Sequence, residues 1–364
     1  MENRLRLLGR RTMRMAAGTA LCLAASFALD LSIPVIAPVF AVFLLATQSR
    51  PLSFRAGLML ALIVMLTTST GLLLVPLLRH YAFAGVMLVG LLLVLAFRYG
   101  MRGGNNLVAT FLVAGVTMIS AAGVADFQVA VTVVGALVKG LLLAVLVAAL
   151  THWLLPEAPG ARPQPAARVM SAEDAMRIAL RAALVVMPAY LLAMTDPASF
   201  MPIIMKSVSL GRQSCTATAR TAARELIGST LLGGLLAIAF WFALRLFAHL
   251  WMFFLWMLLL GLLIGRRLYG LDPTRHSPGF WVNSLVTMII LLGQSVQDSA
   301  AGKDVYTAFA VRMGLFIAVT LYAWAMLMIF DGPLDRAPPA ASDGERDAGH
   351  LRSRAGRFGD GRAR

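Results

Sequence analysis

Two basic residues stand where a chain this apolar should hold none. Lys139 lies between Asp126 and His152, thirteen residues from each. At about 1.5 Å per helical residue its ammonium falls near the middle of a bilayer core roughly 30 Å thick. A charge there costs at least about 2.5–3.5 kcal/mol to insert, so it must meet a partner or a water-filled cavity. Arg312 sits eight residues beyond Asp304 in the last apolar run. Such cations could flank a path for an organic anion, the guanidinium offering a planar fork that suits a carboxylate. A structural ion pair, or snorkelling of the long side chains to the headgroups, accounts for them as well.

Uncharged polar residues extend the pattern. Asn106 and Thr110 at the start of one apolar run recur in register as Asn283 and Thr287 in a later one, so Asn106, Asn283 and Thr287 join Lys139 and Arg312 as candidate substrate-binding residues. In lipid such groups either line a polar path or bind neighbouring helices. Three carboxylates are candidates for coupling. Glu225 lies one turn inside its run and beside Arg224, with which it could pair, while Asp126 and Asp304 stand at run ends, where they could take up protons or cap helices. The five histidines are scattered without metal-ligand spacing. Neither a Ser/His/Asp or Cys/His signature nor a phosphate-cradling Gly-rich loop occurs, so no cofactor, no metal and no enzymatic activity are expected. Cys22 and Cys215 fall in or beside apolar segments and imply no disulfide framework.

The elements that position these residues follow from composition. Of 364 residues 59% are apolar and 13% charged, the mean hydropathy is +0.80, and ordinary soluble domains carry roughly 25% charged residues. The chain therefore reads as an all-α polytopic membrane protein. Apolar runs predict about twelve spans, at 15–30, 33–48, 56–78, 82–98, 105–123, 128–151, 176–194, 198–211, 222–246, 250–265, 280–297 and 306–330. The runs 33–48 and 198–211 are short and carry Pro34, Pro38, Pro197 and Pro202, which predicts proline-bent or half-spanning helices. This layout puts 27 of the 32 Lys and Arg on one side. The net charge of +15 is then mostly a topology signal with both termini cytoplasmic, and does not point to nucleic acid. Lys206 is counted among these loop cations, and Asp298 among the outer acids.

Self-similarity divides the chain. Arg14-Met-Ala-Ala-Gly-Thr-Ala-Leu matches Arg177-Ile-Ala-Leu-Arg-Ala-Ala-Leu; Pro34 and Pro38 line up with Pro197 and Pro202, Gln48-Ser49 with Gln213-Ser214, and Lys139 with Arg312. Each half holds an even number of spans, so the predicted architecture is two parallel six-helix repeats, with a substrate path at their interface. The expected parts are a basic N-tail (1–14), a first repeat (15–155), a Pro-rich cytoplasmic linker (156–172), a second repeat (173–330) and a disordered cytoplasmic C-tail (331–364). Gly261 and Gly265 form a Gly-x-x-x-Gly spacing that fits packing within one chain or formation of a homo-oligomer.

The run from Arg14 through Pro34-Val-Ile-Ala-Pro38 to Gln48-Ser49-Arg50-Pro51, repeated from Arg177 to Gln213, resembles the fusaric acid resistance and aromatic acid exporter superfamily, in a compact branch. The resemblance covers about residues 10–330. It implies an inner-membrane secondary exporter that moves small organic anions, aromatic carboxylic acids above all, from cytoplasm to periplasm, with a periplasmic membrane-fusion adaptor as partner. The larger relatives carry a sizeable cytoplasmic domain between the halves, where this chain has only the Pro-rich linker. A passive anion channel-like pore and a non-transporting membrane scaffold are the alternatives.

Overall fold

A computed structural model describes residues 2–47, 53–156, 171–196, 200, 203–204, 206–208, 219–247 and 249–330. Every regular element among them is helical. In chain order they are α1 (Glu2–Ala28), α2 (Ile36–Thr47), α3 (Phe54–His80), α4 (Ala82–Met101), α5 (Asn106–Ala114), a π-helical turn (Gly115–Ile119), α6 (Ser120–Ala125) and α7 (Phe127–Leu154). The second half holds α8 (Ala172–Thr195), α9 (Ala219–Leu246), α10 (Leu250–Leu268), α11 (Pro278–Ala300) and α12 (Val305–Phe330). Residues 203–204 and 206–208 are helical too. Most of the linker (157–170) and the whole C-tail (331–364) lie outside the described residues.

Among the described residues nine helices are long and apolar enough to cross a membrane, with Val108–Ala125 forming one of them across the π turn. The chain is thus an all-helical, multi-pass membrane protein, and among the described residues fewer helices are full-length candidates than the twelve runs suggest. The difference has local causes. Helix α1 carries Arg6, Arg10, Arg11 and Arg14 along its first half, and the basic stretch and the apolar one are a single unbroken helix. Helix α2 is only 12 residues long. Pro38 stands in its first turn, where a missing N–H and a fixed φ are tolerated, so the proline starts this helix instead of bending it. The run 198–211 lies only partly within the described residues.

Contacts between helix ends sort the loops into two sides. On one, Arg10 donates to the Pro156 carbonyl (3.3 Å), the Tyr269 hydroxyl to the Leu45 carbonyl (3.2 Å), and the Ser277 hydroxyl to Glu225 (2.6 Å). Beside them Arg266 forms an ion pair with Asp272, which holds that exposed carboxyl below its ordinary range. On the other side, Arg79 donates to the carbonyls of Gly123 (3.0 Å) and Val124 (3.2 Å), and Arg245 to the Tyr306 hydroxyl. The two sets share no helix end, in keeping with the alternation that the basic residues predict.

Small residues draw the helices together. A Cβ on Gly115, in the π turn, would lie 2.6 Å from the Thr67 carbonyl oxygen and 2.7 Å from the Thr68 Cα, so α3 and the π turn touch backbone to backbone. Cβ atoms on Gly261 and Gly265 would lie 3.1 Å from Ala16 and 2.9 Å from Thr12, so the Gly-x-x-x-Gly spacing seats α10 on α1 within the chain. Each half's first helix packs on the other half's fourth: α1 on α10, and α8 on α4. Helix α3 packs on α5–α6 and α7, as α9 packs on α11 and α12. Burial recurs as well. In the register of Pro34 with Pro197, Ala16, Thr19, Ala20, Cys22, Leu23 and Ser26 of α1 are buried and so are their counterparts Ala179, Ala182, Ala183, Val185, Val186 and Ala189 of α8.

The close approach at Gly115 gives a direct test. Gly115→Val should destabilise the protein by roughly 1–3 kcal/mol or more through overpacking, seen as a lower melting temperature in detergent. Gly314→Ala, whose added Cβ meets nothing within 4 Å, should not lower the melting temperature, since Ala is also the better helix former. Equal melting for the two variants would show that α3 and the π turn have slack.

Candidate functional site

Lys206 is one of three buried Lys and Arg side chains among the described residues, with Arg14 and Arg181. The run Ile203, Ile204, Lys206, Ser207 and Val208 is buried, with Lys206 at 2% exposure. Its ammonium donates to Thr287 Oγ1 (2.9 Å) and Asn283 Oδ1 (3.2 Å) on α11, and lies 5.9 Å from the centre of the Phe316 ring on α12. The Asn283 amide donates in turn to Ser229 Oγ on α9 (2.6 Å), whose hydroxyl donates to the Leu226 carbonyl (3.1 Å). Asn283, Thr287, Ser229 and Phe316 are all buried.

This arrangement has a sign. Every partner of Lys206 among the described residues is neutral, two oxygens and the face of a ring, and no carboxylate among them reaches it. An ammonium has three donors; two are used here, and the Thr287 hydroxyl, which accepts from Lys206, keeps its own proton to give. Two unspent donors around one buried positive charge make a receptor for an oxyanion. Burial strengthens it, because charges interact more strongly where the dielectric is low.

Helix α11 positions this site. It is the most buried of the candidate spans, and Asn283, Thr287, Gln294 and Asp298 succeed one another at spacings of four, seven and four residues, which puts them on one helical face. At the far end of that face Asp298 accepts two hydrogen bonds from Arg312 of α12, one of them 3.1 Å long. Both side chains of the pair are largely withdrawn from solvent, Arg312 at 14% exposure and Asp298 at 7%. The N-terminal end of α11 is held by Glu225 of α9, whose carboxylate accepts from both the backbone N–H (3.2 Å) and the hydroxyl (2.6 Å) of Ser277, the residue that caps α11.

The candidates from sequence therefore separate. Asn283 and Thr287 meet in one site, but with Lys206 as their cation. Lys139 is exposed on the outer surface of α7, which packs on α1, α2 and α3, whereas Arg312 is on α12 among α8, α9 and α11; Lys139 and Arg312 do not form the pair expected to flank one path. Asn106 opens α5, and its side chain lies outside the described residues. Asp126 caps α7 by accepting from the Gln128 N–H (2.8 Å), and Asp304 caps α12 through the Tyr306 N–H (3.2 Å) and the Thr307 hydroxyl. The Thr307 bond, followed by the Tyr306 one, holds the Asp304 carboxyl below its ordinary range, which disfavours proton uptake near neutral pH. Glu225 binds the cap of α11, and the side chain of Arg224, its expected partner, lies outside the described residues.

Sequence reasoning missed Lys206 and Asp298. Lys206 falls among the loop cations because its run is short and rich in proline, yet Ile203, Ile204, Val208 and Leu210 around it give the same signal of a charge in an apolar setting that singles out Lys139. Asp298 lies near a turn, but its spacing from Asn283 marks it as sharing the polar face. Among the described residues no group of three or more His, Cys, Asp or Glu is placed to hold a metal. A surface hollow of about 470 Å³ opens elsewhere, beside Arg98, Tyr99 and Arg102; the Lys206 cluster itself is closed.

Residues 11–151 match the model of a family described as a protein of unknown function (DUF2955). No curated protein and no solved structure matches the chain.

The Asp298–Arg312 pair can be tested by breaking it from one side. Asp298→Ala leaves a guanidinium uncompensated and should cost about 3–5 kcal/mol, read as loss of folded protein in the membrane or a lower melting temperature. Adding Arg312→Leu to it should recover much of that loss. A single variant as stable as the wild type would mean that the pair contributes nothing to the fold.

Proposed function

We propose that this protein is a carrier for small organic anions, aromatic carboxylates above all, with Lys206, Asn283 and Thr287 as its anion station. The observation that carries this reading is a buried ammonium whose neighbours among the described residues are all neutral and leave donors unspent. A solute carboxylate would accept from Lys206 and from the Thr287 hydroxyl, while the Phe316 ring, buried beside the ammonium, offers an apolar wall to the solute's ring. Ser229 would orient Asn283. Closure of the bundle around this cluster favours a carrier that opens and shuts over a standing pore.

The architecture proposed is two parallel six-helix halves in the inner membrane, both termini cytoplasmic, exporting from cytoplasm to periplasm. The reciprocal packing of α1 on α10 and α8 on α4 supports the repeat, as does the recurrence of buried positions along α1 and α8. A family match ending at residue 151, within α7, agrees with the first half as a unit. The proposed station then lies in the second half, with Phe316 on its last helix. A periplasmic adaptor is a proposed partner on the strength of the superfamily resemblance alone.

Proteoliposomes loaded with labelled benzoate test the station. Lys206→Gln should slow benzoate release about tenfold or more, since a hydrogen bond to a charged group contributes roughly 1.5–3 kcal/mol. Lys206→Arg should retain part of the rate, and Thr287→Val should lower it to a smaller degree. Release at the wild-type rate from a folded Lys206→Gln protein would remove Lys206 from the path, and equal handling of benzamide would show that the site does not read charge.

A further inference from the structure

The outward-facing Lys139 has no use in the anion station and no hydrogen bond or ion pair among the described residues. It stands twelve residues from the first residue of α7 and fifteen from the last, about 18 and 22 Å from the two ends, farther than a lysine stem can carry its ammonium to either end of the helix. Water does not reach it along this face either, because Val131, Leu142 and Leu146 around it are exposed and apolar, as lipid-facing or protein-covered surfaces are. The residues on its own stripe differ from those of a lipid face. Gln128, Thr132, Gly135 and Lys139 follow one another at spacings of four, three and four, which sets them on one line of the helix. A Cβ on Gly135 would meet nothing within 4 Å, so the stripe offers a second helix a close seat flanked by polar groups.

We infer that this stripe of α7 docks a transmembrane helix of another membrane protein, one that carries a carboxylate near the middle of the bilayer to pair with Lys139. Charge complementarity selects that occupant. An acyl chain leaves the ammonium unmatched, and a lipid headgroup cannot sink to that depth. A second copy of the chain offers no suitable acid among the described residues, since Asp298 is engaged by Arg312 and Glu225 by Ser277, while Asp30, Asp126, Asp196 and Asp304 lie at helix ends. A symmetric pair of α7 stripes would also bring two ammoniums together. In the register of Asn106 with Asn283, the place held by Asp298 in the second half is held by Ala121 in the first. The cation on α12 thus has its acid in the same chain, and among the described residues the cation on α7 has none.

The test uses the full chain in proteoliposomes, with a donor fluorophore at the C-terminus and acceptor-labelled synthetic transmembrane peptides of leucine and alanine. One peptide carries a single central aspartate and the other none. Energy transfer should report association about tenfold stronger for the aspartate peptide, falling to the level of the plain peptide with Lys139→Leu. That variant removes a charge from an apolar surface, so its melting temperature should not fall. Gly135→Leu keeps the charge but blocks the seat, and should weaken the aspartate peptide as well. Equal binding of both peptides to the wild type, or a preference that survives Lys139→Leu, would overturn the inference. So would self-association of the wild type that Lys139→Leu abolishes, because a second copy would then cover the stripe. Benzoate release through Lys206 is read separately, so failure of either proposal leaves the other standing.

Discussion

Hydrocarbon gives a charge nothing to bind, and the way this chain answers that constraint organises the rest of its structure. Three of its cations in apolar settings, Arg312, Lys206 and Lys139, meet it in three ways. Arg312 closes on Asp298, neutralising itself within one helical hairpin. Lys206 is wrapped in neutral oxygens and a ring, which satisfies hydrogen bonding but not charge. Lys139 is turned outward with neither. The first arrangement stabilises, the second creates an electrostatic vacancy inside the bundle, and the third creates one on its surface. A chain that solved all three as it solved Arg312 would be a more stable protein with no charge-selective place in it.

Backbone contact is what makes such enclosure feasible. Helices separated by ordinary side chains stand roughly 8–10 Å apart, and polar side chains between them would leave gaps that lipid cannot fill. Here Gly115 brings the π turn against α3, Gly233 of α9 comes close enough for an added Cβ to lie 2.7 Å from the Ser284 carbonyl oxygen on α11, and Gly261 and Gly265 seat α10 on α1. The hydroxyls nearby do little bridging between helices. Those of Thr68, Thr117 and Thr230 donate to carbonyls of their own helices, which satisfies them locally and leaves the interhelical surface dry. With the walls closed in this way, the side chains that do reach across, among them Asn283 to Ser229, Lys206 to Asn283 and Ser120 to Tyr190, become the specific polar contacts of the core.

Much of the fold is legible in the sequence because the bilayer imposes a length. Apolar runs, their breaks at Pro-rich turns and the one-sided distribution of arginine are one-dimensional signals, and the helices α3 to α12 follow them closely. Facing is not one-dimensional. Lys139 and Lys206 look alike in sequence, each a lysine inside an apolar stretch, yet one ends at the surface and the other at the centre. What decides between them is which helices pack on each side, and that depends on glycine contacts hundreds of residues apart. Asn283 and Thr287 can be found from sequence because their four-residue spacing fixes a shared face whatever the packing. Their cation comes from a different segment and can be found only in three dimensions.

The two halves differ most where their charges sit, and the difference has a direction. At matching places the first half has Ala121 where the second has Asp298, and Lys139 where the second has Arg312; Lys206 lies in the second half and engages α11. The second half thus holds both the Asp298–Arg312 pair and the Lys206 cluster, with α11 as their common axis, while the first half presents Lys139 outward. In a scaffold whose helices pack reciprocally across the halves, movement at α11 reaches α2, which touches it directly, and α7, on which α2 rests. A helix seated along the Lys139 stripe would therefore bear on the same α2–α7 wall that borders α11. The vacancy at the surface and the α11 helix that carries the core cluster are linked through α7 and α2, so pairing of the first is positioned to bias the packing around the second.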